Sequence, residues 1–334
     1  MGKRHTPPIA DAPEAIATLE EVTIGGISQW LMLRGADRKK PVLVFLHGGP
    51  GSAQIGWARP DQADLERHFV VVNWDQRGAG LSYSRRIPRN SMTIDRFVED
   101  LREVVLWIRA RLGHERVFLV GHSWGSILGM RAVQRYPELF HAYFGVSQVV
   151  NFAETEAMSY ALTLERAREL GHRKAVRELE AVGAPPYASL KGGVVLQRWL
   201  GRLGGMTFER DLVPVIFKRT LAGPEYGWQA VLKFVQGQFF SVKTMEAQLQ
   251  AVDLEAQVPS VRVPVHFCIG RHDRVAPAGL AERYFTRLSA PRKEWRWFER
   301  SAHAAPSEEP EAFSTYVIET ATRQLEAAAS TVRA

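Results

Sequence analysis

Five short apolar runs that do not alternate constrain this chain of 334 residues more than any other feature. They are Pro41–Leu46, Phe69–Trp74, Arg116–Val120, Ala142–Val146 and Val263–Ile269, each followed by glycine or polar punctuation. A strand with one wet face alternates apolar and polar residues; a continuous run requires both faces to be covered. Helices must supply that cover, and the segments between the runs have the right period. Ile94–Leu112 places Phe97, Leu101, Val104, Val105 and Ile108 on one stripe, and Ser126–Tyr136 is closed by Pro137. Strand and helix in alternation predict an α/β fold with a mostly parallel, doubly wound sheet. Upstream, Glu21–Arg34 brackets Gly25-Gly26 with β-branched and aromatic residues, which predicts a hairpin.

The rhythm breaks between Asn151 and Gln257, where the pattern is mostly helical with turns such as Ala184-Pro185-Pro186 and Gly204-Gly205. Strand character resumes at Val261, so the stretch reads as a helical cap inserted between two strands of one sheet. The expected organisation is a loose leader over 1–16, a core made of 17–150 and 258–334, and a cap over 151–257. Lysine and arginine exceed aspartate and glutamate by 7, but the excess is dispersed and no nucleic-acid-binding motif accompanies it. Cys268 stands alone in an apolar run and reads as a buried structural thiol, with no disulfide to suggest an oxidising compartment. No apolar stretch follows the basic N-terminus and none is long enough to span a bilayer, so neither a signal peptide nor a membrane helix is expected. The cytoplasm is the expected location. The oligomeric state is left open.

The strongest chemical signal is Gly121-His122-Ser123-Trp124-Gly125, which ends one predicted strand and opens one predicted helix. A serine on so sharp a turn presents its hydroxyl, and the N–H of Trp124 at the helix start can stabilise an oxyanion. His47-Gly48-Gly49-Pro50-Gly51 ends the first buried run, and Gly49 is the candidate for the second oxyanion donor. A nucleophilic serine needs a base, and the base needs an orienting acid. Asp273 follows the run ending at Ile269, and His303 follows the predicted last strand Trp295–Phe298. The order Ser123, Asp273, His303 is the order of the α/β-hydrolase fold. No metal-ligand spacing is present, and triad chemistry requires no cofactor.

With these motifs the chain resembles the proline iminopeptidase branch of the α/β hydrolases. His47–Gly51, Asp75-Gln76-Arg77-Gly78-Ala79-Gly80-Leu81-Ser82, Gly121–Gly125, Gly270–Asp273 and His303 match that family's motifs in order. The resemblance implies a serine aminopeptidase acting on small peptides, amino-acid amides or esters, with cap glutamates holding the substrate's free amine. Glu154 and Glu156 are the candidates for that contact, although the cap lacks the Trp-x-x-Trp-Glu-like segment of better-known members. Asp75 and Arg77 are expected to brace loops rather than do chemistry. Two alternatives stand beside this reading. One is an esterase, lactonase or amidase acting on an uncharged acyl group; the other is a non-catalytic binding protein on the same scaffold.

Overall fold

The computed structural model describes residues 4–187, 189–209 and 211–333. Its sheet has eight strands: β1 (Ile16–Ile24), β2 (Ile27–Gly35), β3 (Val42–Leu46), β4 (Val70–Asp75), β5 (Val117–His122), β6 (Phe140–Val146), β7 (Val265–Gly270) and β8 (Lys293–Phe298). Their order across the sheet is β1-β2-β4-β3-β5-β6-β7-β8. The β1–β2 and β2–β4 pairs are antiparallel and all others parallel. The predicted hairpin is therefore the antiparallel edge of a parallel sheet.

Helices cover both faces. In chain order they are α1 (Ala63–Glu66), α2 (Ile94–Leu112), α3 (Trp124–Arg135), α4 (Phe152–Glu169), α5 (Arg173–Val182), α6 (Leu190–Arg202), α7 (Val213–Ala222), α8 (Gly227–Gln250), α9 (Leu254–Gln257), α10 (Ala278–Arg287), α11 (Ala305–Glu308) and α12 (Pro310–Arg333). Strand alternation divides the core between the faces. Val42, Val44 and Leu46 join the cluster that contains Phe97, Leu101 and Ile108 of α2, while Leu43 and Phe45 join Phe313, Val317 and Ala321 of α12. This two-sided burial is why the runs are continuous in the sequence. Cys268 lies in the second cluster, and burial pushes its thiol pKa well up. Helix α2 starts where the side chain of Thr93 accepts from Arg96 N–H and stops at Gly113, whose φ of 79° lies in the left-handed region.

Between β6 and β7 the described residues form helices α4–α9 and no strand of the sheet. The sequence pattern shows only Trp228–Phe234 of α8, which in fact runs on to Gln250. Gly237 interrupts its apolar period for a steric reason: a Cβ there would lie 2.6 Å from the Gly78 carbonyl oxygen. The leader departs from expectation. Residues 4–15 form neither helix nor strand, yet Thr6 is buried, donating to Glu225 at 3.0 Å and accepting from Arg34 at 2.9 Å. A buried hydroxyl must be hydrogen-bonded, and the partners here are an arginine of β2 and a glutamate that precedes α8, so the leader is pinned rather than loose.

The hairpin is tied to the core by a charge pair. Arg77 binds both carboxylate oxygens of Asp100 on α2, at 2.8 and 3.1 Å, and donates to Gly25 O in the β1–β2 turn at 2.8 Å. Their side chains are 1% and 0% exposed. Removing one partner strands the other's charge in the interior. Asp100→Ala is expected to cost about 3–5 kcal/mol, read as a lowered denaturation midpoint with an unchanged slope.

Candidate active site

The serine turn forms where β5 must hand over to α3 with no loop between them. Ser123 adopts φ 53° and ψ −117°, a left-handed conformation that only tight surroundings sustain. Glycines on either side allow it. A Cβ at Gly121 would lie 2.5 Å from Gly125 O, and one at Gly125 would lie 2.3 Å from Leu46 O on β3. Ser123 N–H donates to Val146 O at 3.0 Å, which pins the turn to β6. The serine itself remains half-exposed. The N–H of Trp124, first residue of α3, belongs to the helix end that has no partner within its own helix.

Asp273 and His303 meet as the chain order predicts. His303 Nδ1 lies 2.9 Å from Asp273 Oδ2. The other oxygen of Asp273 accepts from the N–H groups of Val275 and Ala276, both at 2.9 Å. Its side chain is 0% exposed, against 12% for His303. A fully buried carboxylate with these partners requires the imidazole to present Nδ1–H to it, which leaves Nε2 as an acceptor. The loop that carries His303 is held as well: Glu308 accepts from the N–H groups of Ala302 and Ala304, and His303 N–H donates to Met206 O at 3.1 Å.

The loop 47–51 lies beside Ser123. A Cβ on Gly48 would stand 3.4 Å from Ser123 Cβ. His47 is buried and braces its own loop. Its Nδ1 donates to Gly48 O at 2.8 Å and its Nε2 accepts from Gln76 N–H at 3.2 Å. Burial lowers its pKa to about 4, so it is a neutral strut. Gln76 completes the brace by donating to His47 O at 3.3 Å and accepting from the Trp124 indole at 2.9 Å. Neither the role of Gln76 nor that of Glu308 is legible in the sequence, because each works through contacts that the local pattern does not announce.

The flanking segment also fastens the cap. Asp75 accepts from Leu81 N–H at 2.9 Å, from Ile55 N–H and from the hydroxyl of Tyr226, just before α8. Its burial raises its pKa to about 7 against the opposing pull of these donors. Arg59–Glu225 at 3.0 Å, Arg219–Asp61 at 2.8 Å and Gln238–Ser52 at 3.1 Å add further ties.

The two cap glutamates part company. Glu154 is on the face of α4 opposite its buried residues Thr155, Ser159 and Thr163, and is ion-paired with Arg283 of α10 at 2.9 Å. Its charge is paired at the surface. Glu156 is half-buried and accepts from Gln250 of α8 at 2.6 Å. Burial raises its pKa, and neighbouring Glu246 adds to the rise. A cavity of about 400 Å³ lined by Arg166, Arg202, Phe208, His272 and Arg274 opens beside the acid loop, and neither Ser123 nor His303 lines it. Among the described residues no cluster of three or more His, Cys, Asp or Glu could hold a metal, and no helix is long and apolar enough to cross a membrane.

Residues 41–177 match the family model described as alpha/beta hydrolase fold. The chain is 41% identical over 310 residues to the Bacillus subtilis protein named "Probable aminopeptidase YbaC", covering 90% of this chain and 95% of that one. It is 25% identical over 284 residues to the proline iminopeptidase of Clostridioides difficile, covering 83% and 88% of the two chains. The crystal structure of a proline iminopeptidase-related protein from Thermus thermophilus superposes with a TM-score of 0.61 at 23% identity, over 91% of this chain and 96% of that one.

Asp75 supplies a pH test. A carboxyl whose pKa rises on folding, from 3.8 to about 7, keeps its proton in the folded state while the unfolded chain loses it. Its contribution to stability is complete below the unfolded value and is lost as the pH climbs toward 7. Asp75→Asn should therefore gain on the native protein between pH 5 and about 7, with the gap level above that. Denaturation midpoints across the range check this; a constant gap would refute it.

Proposed function

This chain belongs to the α/β-hydrolase fold family, and on that premise we propose that it is a serine hydrolase that cleaves small substrates through an acyl-enzyme, chiefly as an aminopeptidase of the proline iminopeptidase type. The observation that carries the reading is the Asp273–His303 hydrogen bond, with the His303 carbonyl against His122, the residue that precedes a serine held on a strained strand-to-helix turn. Ser123 Oγ attacks the substrate carbonyl as His303 Nε2 takes its proton. The resulting oxyanion receives the N–H groups of Gly49 and Trp124. Collapse breaks the C–N bond, and His303 returns the proton to the leaving amine. Water, deprotonated by the same histidine, then frees the enzyme. Asp273 keeps the imidazole in the required tautomer throughout.

The free amine of the substrate is assigned to Glu156. It is half-buried, has a neutral hydrogen-bond donor in Gln250 and pairs with no cation among the described residues. An ammonium would supply the missing charge-assisted bond. The names of the relatives from Bacillus subtilis and Clostridioides difficile support peptide-type substrates. A second reading, an esterase or lactonase for an uncharged acyl group, is favoured by one feature of the cap. Val213, Phe217 and Leu221 of α7 and Leu232, Val235 and Phe239 of α8 are all exposed, which would suit an apolar acyl chain. The protein is expected to work in the cytoplasm without a cofactor.

Hydrolysis of a matched panel separates the readings: prolyl, alanyl and leucyl arylamides, their N-blocked forms, and short aryl esters and lactones. The expected result is turnover of free-amine arylamides that is lost on N-blocking, and no turnover by a stably folded Ser123→Ala. Turnover of esters or lactones alone would favour the second reading. Glu156→Gln should raise KM for free-amine substrates about tenfold or more and leave simple esters unaffected. An equal loss on both would assign Glu156 a structural role.

A further inference from the structure

The backbone of His303 is gripped from the sheet in a way the triad itself does not require. His303 is in the loop between β8 and α11, outside any regular element. Its carbonyl oxygen lies 2.7 Å from His122 Nε2 and accepts from Ser147 Oγ at 3.1 Å. Both donors stand at the C-terminal edge of the sheet. His122 ends β5, one residue before the nucleophile, and Ser147 immediately follows β6 with its N–H on Cys268 O at 3.1 Å. Ser147 has a φ of 49°, an unfavourable conformation for a serine and one that turns the chain just after the strand. Resting on the assignment of Ser123 and His303 above, we propose that His122 and Ser147 are positioning residues that aim the general base by holding its backbone carbonyl.

The ring of His122 has neighbours on three sides. Its centroid is 5.0 Å from that of His303, and a Cβ on Gly48 would stand 3.2 Å from its Nδ1. One imidazole thus touches the glycine-rich loop, adjoins the nucleophile and bonds the base loop. To donate from Nε2 while neutral, the ring must leave Nδ1 unprotonated, against the side where Gly48 carries no side chain. Burial first, then the neighbouring His303, lower its pKa to about 4, so the His122 ring is uncharged near neutral pH. A carbonyl oxygen has two lone pairs, and both are engaged here. Rotation of this peptide would swing the imidazole away from Ser123, and a displacement of 1 Å at a reacting group costs about a hundredfold in rate.

The test uses the full-length protein and a substrate that the native enzyme turns over. His122→Leu should lower kcat by roughly ten- to a hundredfold with KM within about twofold, and the heat-denaturation profile should show a folded protein. His122→Gln, whose amide nitrogen reaches as far as Nε2, should recover most of the loss. Ser147→Ala should lower kcat severalfold with KM unchanged. Native kcat in His122→Leu, a loss confined to KM, or His122→Gln no better than His122→Leu would each overturn the proposal. Should His122→Leu fail to fold, Ser147→Ala decides: a reduced kcat upholds the proposal and a native kcat overturns it. Ser123→Ala keeps the two inferences apart. Turnover by that variant would overturn the nucleophile assignment, whereas an inactive Ser123→Ala beside a fully active His122→Leu would overturn the positioning role alone.

Discussion

The backbone at Ser123 is the constraint to which the rest of the molecule conforms. A serine held at φ 53° between a strand and a helix costs roughly 1–3 kcal/mol, and it persists only because its surroundings leave no alternative. The surroundings are the central sheet itself. β3 and β6 flank β5, Gly125 packs against Leu46 O, and Ser123 N–H is taken by Val146 O. A parallel sheet buried on both faces is stiff enough to store such strain. The apolar runs that build the sheet therefore also hold the Ser123 turn.

Around that point polar side chains are arranged to be neutral or fully paired. His47 and His122 have pKa values lowered to about 4 by burial, so they act as uncharged struts on either side of the turn. Gln76 joins the glycine-rich loop to Trp124, Asp273 is saturated by two backbone donors and His303, and Glu308 gathers the backbone around His303. A partly satisfied network in a buried place would cost more than it supplies. The helical insertion is attached to the same frame through Tyr226–Asp75 and Gln238–Ser52, so it is braced against the end of β4 and the loop after β3.

The core was legible in the sequence because its signals are local. A continuous apolar run marks a strand covered on both sides, and Gly121–Gly125 marks the turn where strand meets helix. Asp273 and His303 stand out because each follows a readable strand, and the structure brings them within hydrogen-bond distance. The less legible features depend on partners far along the chain. Thr6 is pinned by Glu225 and Arg34, which nothing in the leader announces. Glu154 and Glu156 are two residues apart, yet a helix turns them to different faces, and only the position of Arg283 shows which one is committed. The length of α8 was hidden by Gly237, which is there for the close passage over Gly78. The roles of His122 and Ser147 are invisible for the same reason, since their common partner is a backbone carbonyl more than 150 residues away.

Ser123 is proposed to be a nucleophile activated by His303. The most direct measurement is intact-protein and peptide mass spectrometry after brief treatment with a fluorophosphonate. One adduct is expected, on the peptide containing Ser123, formed in step with loss of activity, absent in Ser123→Ala and strongly slowed in His303→Ala. Loss of activity with Ser123 unmodified, or an adduct formed equally fast without His303, would contradict it.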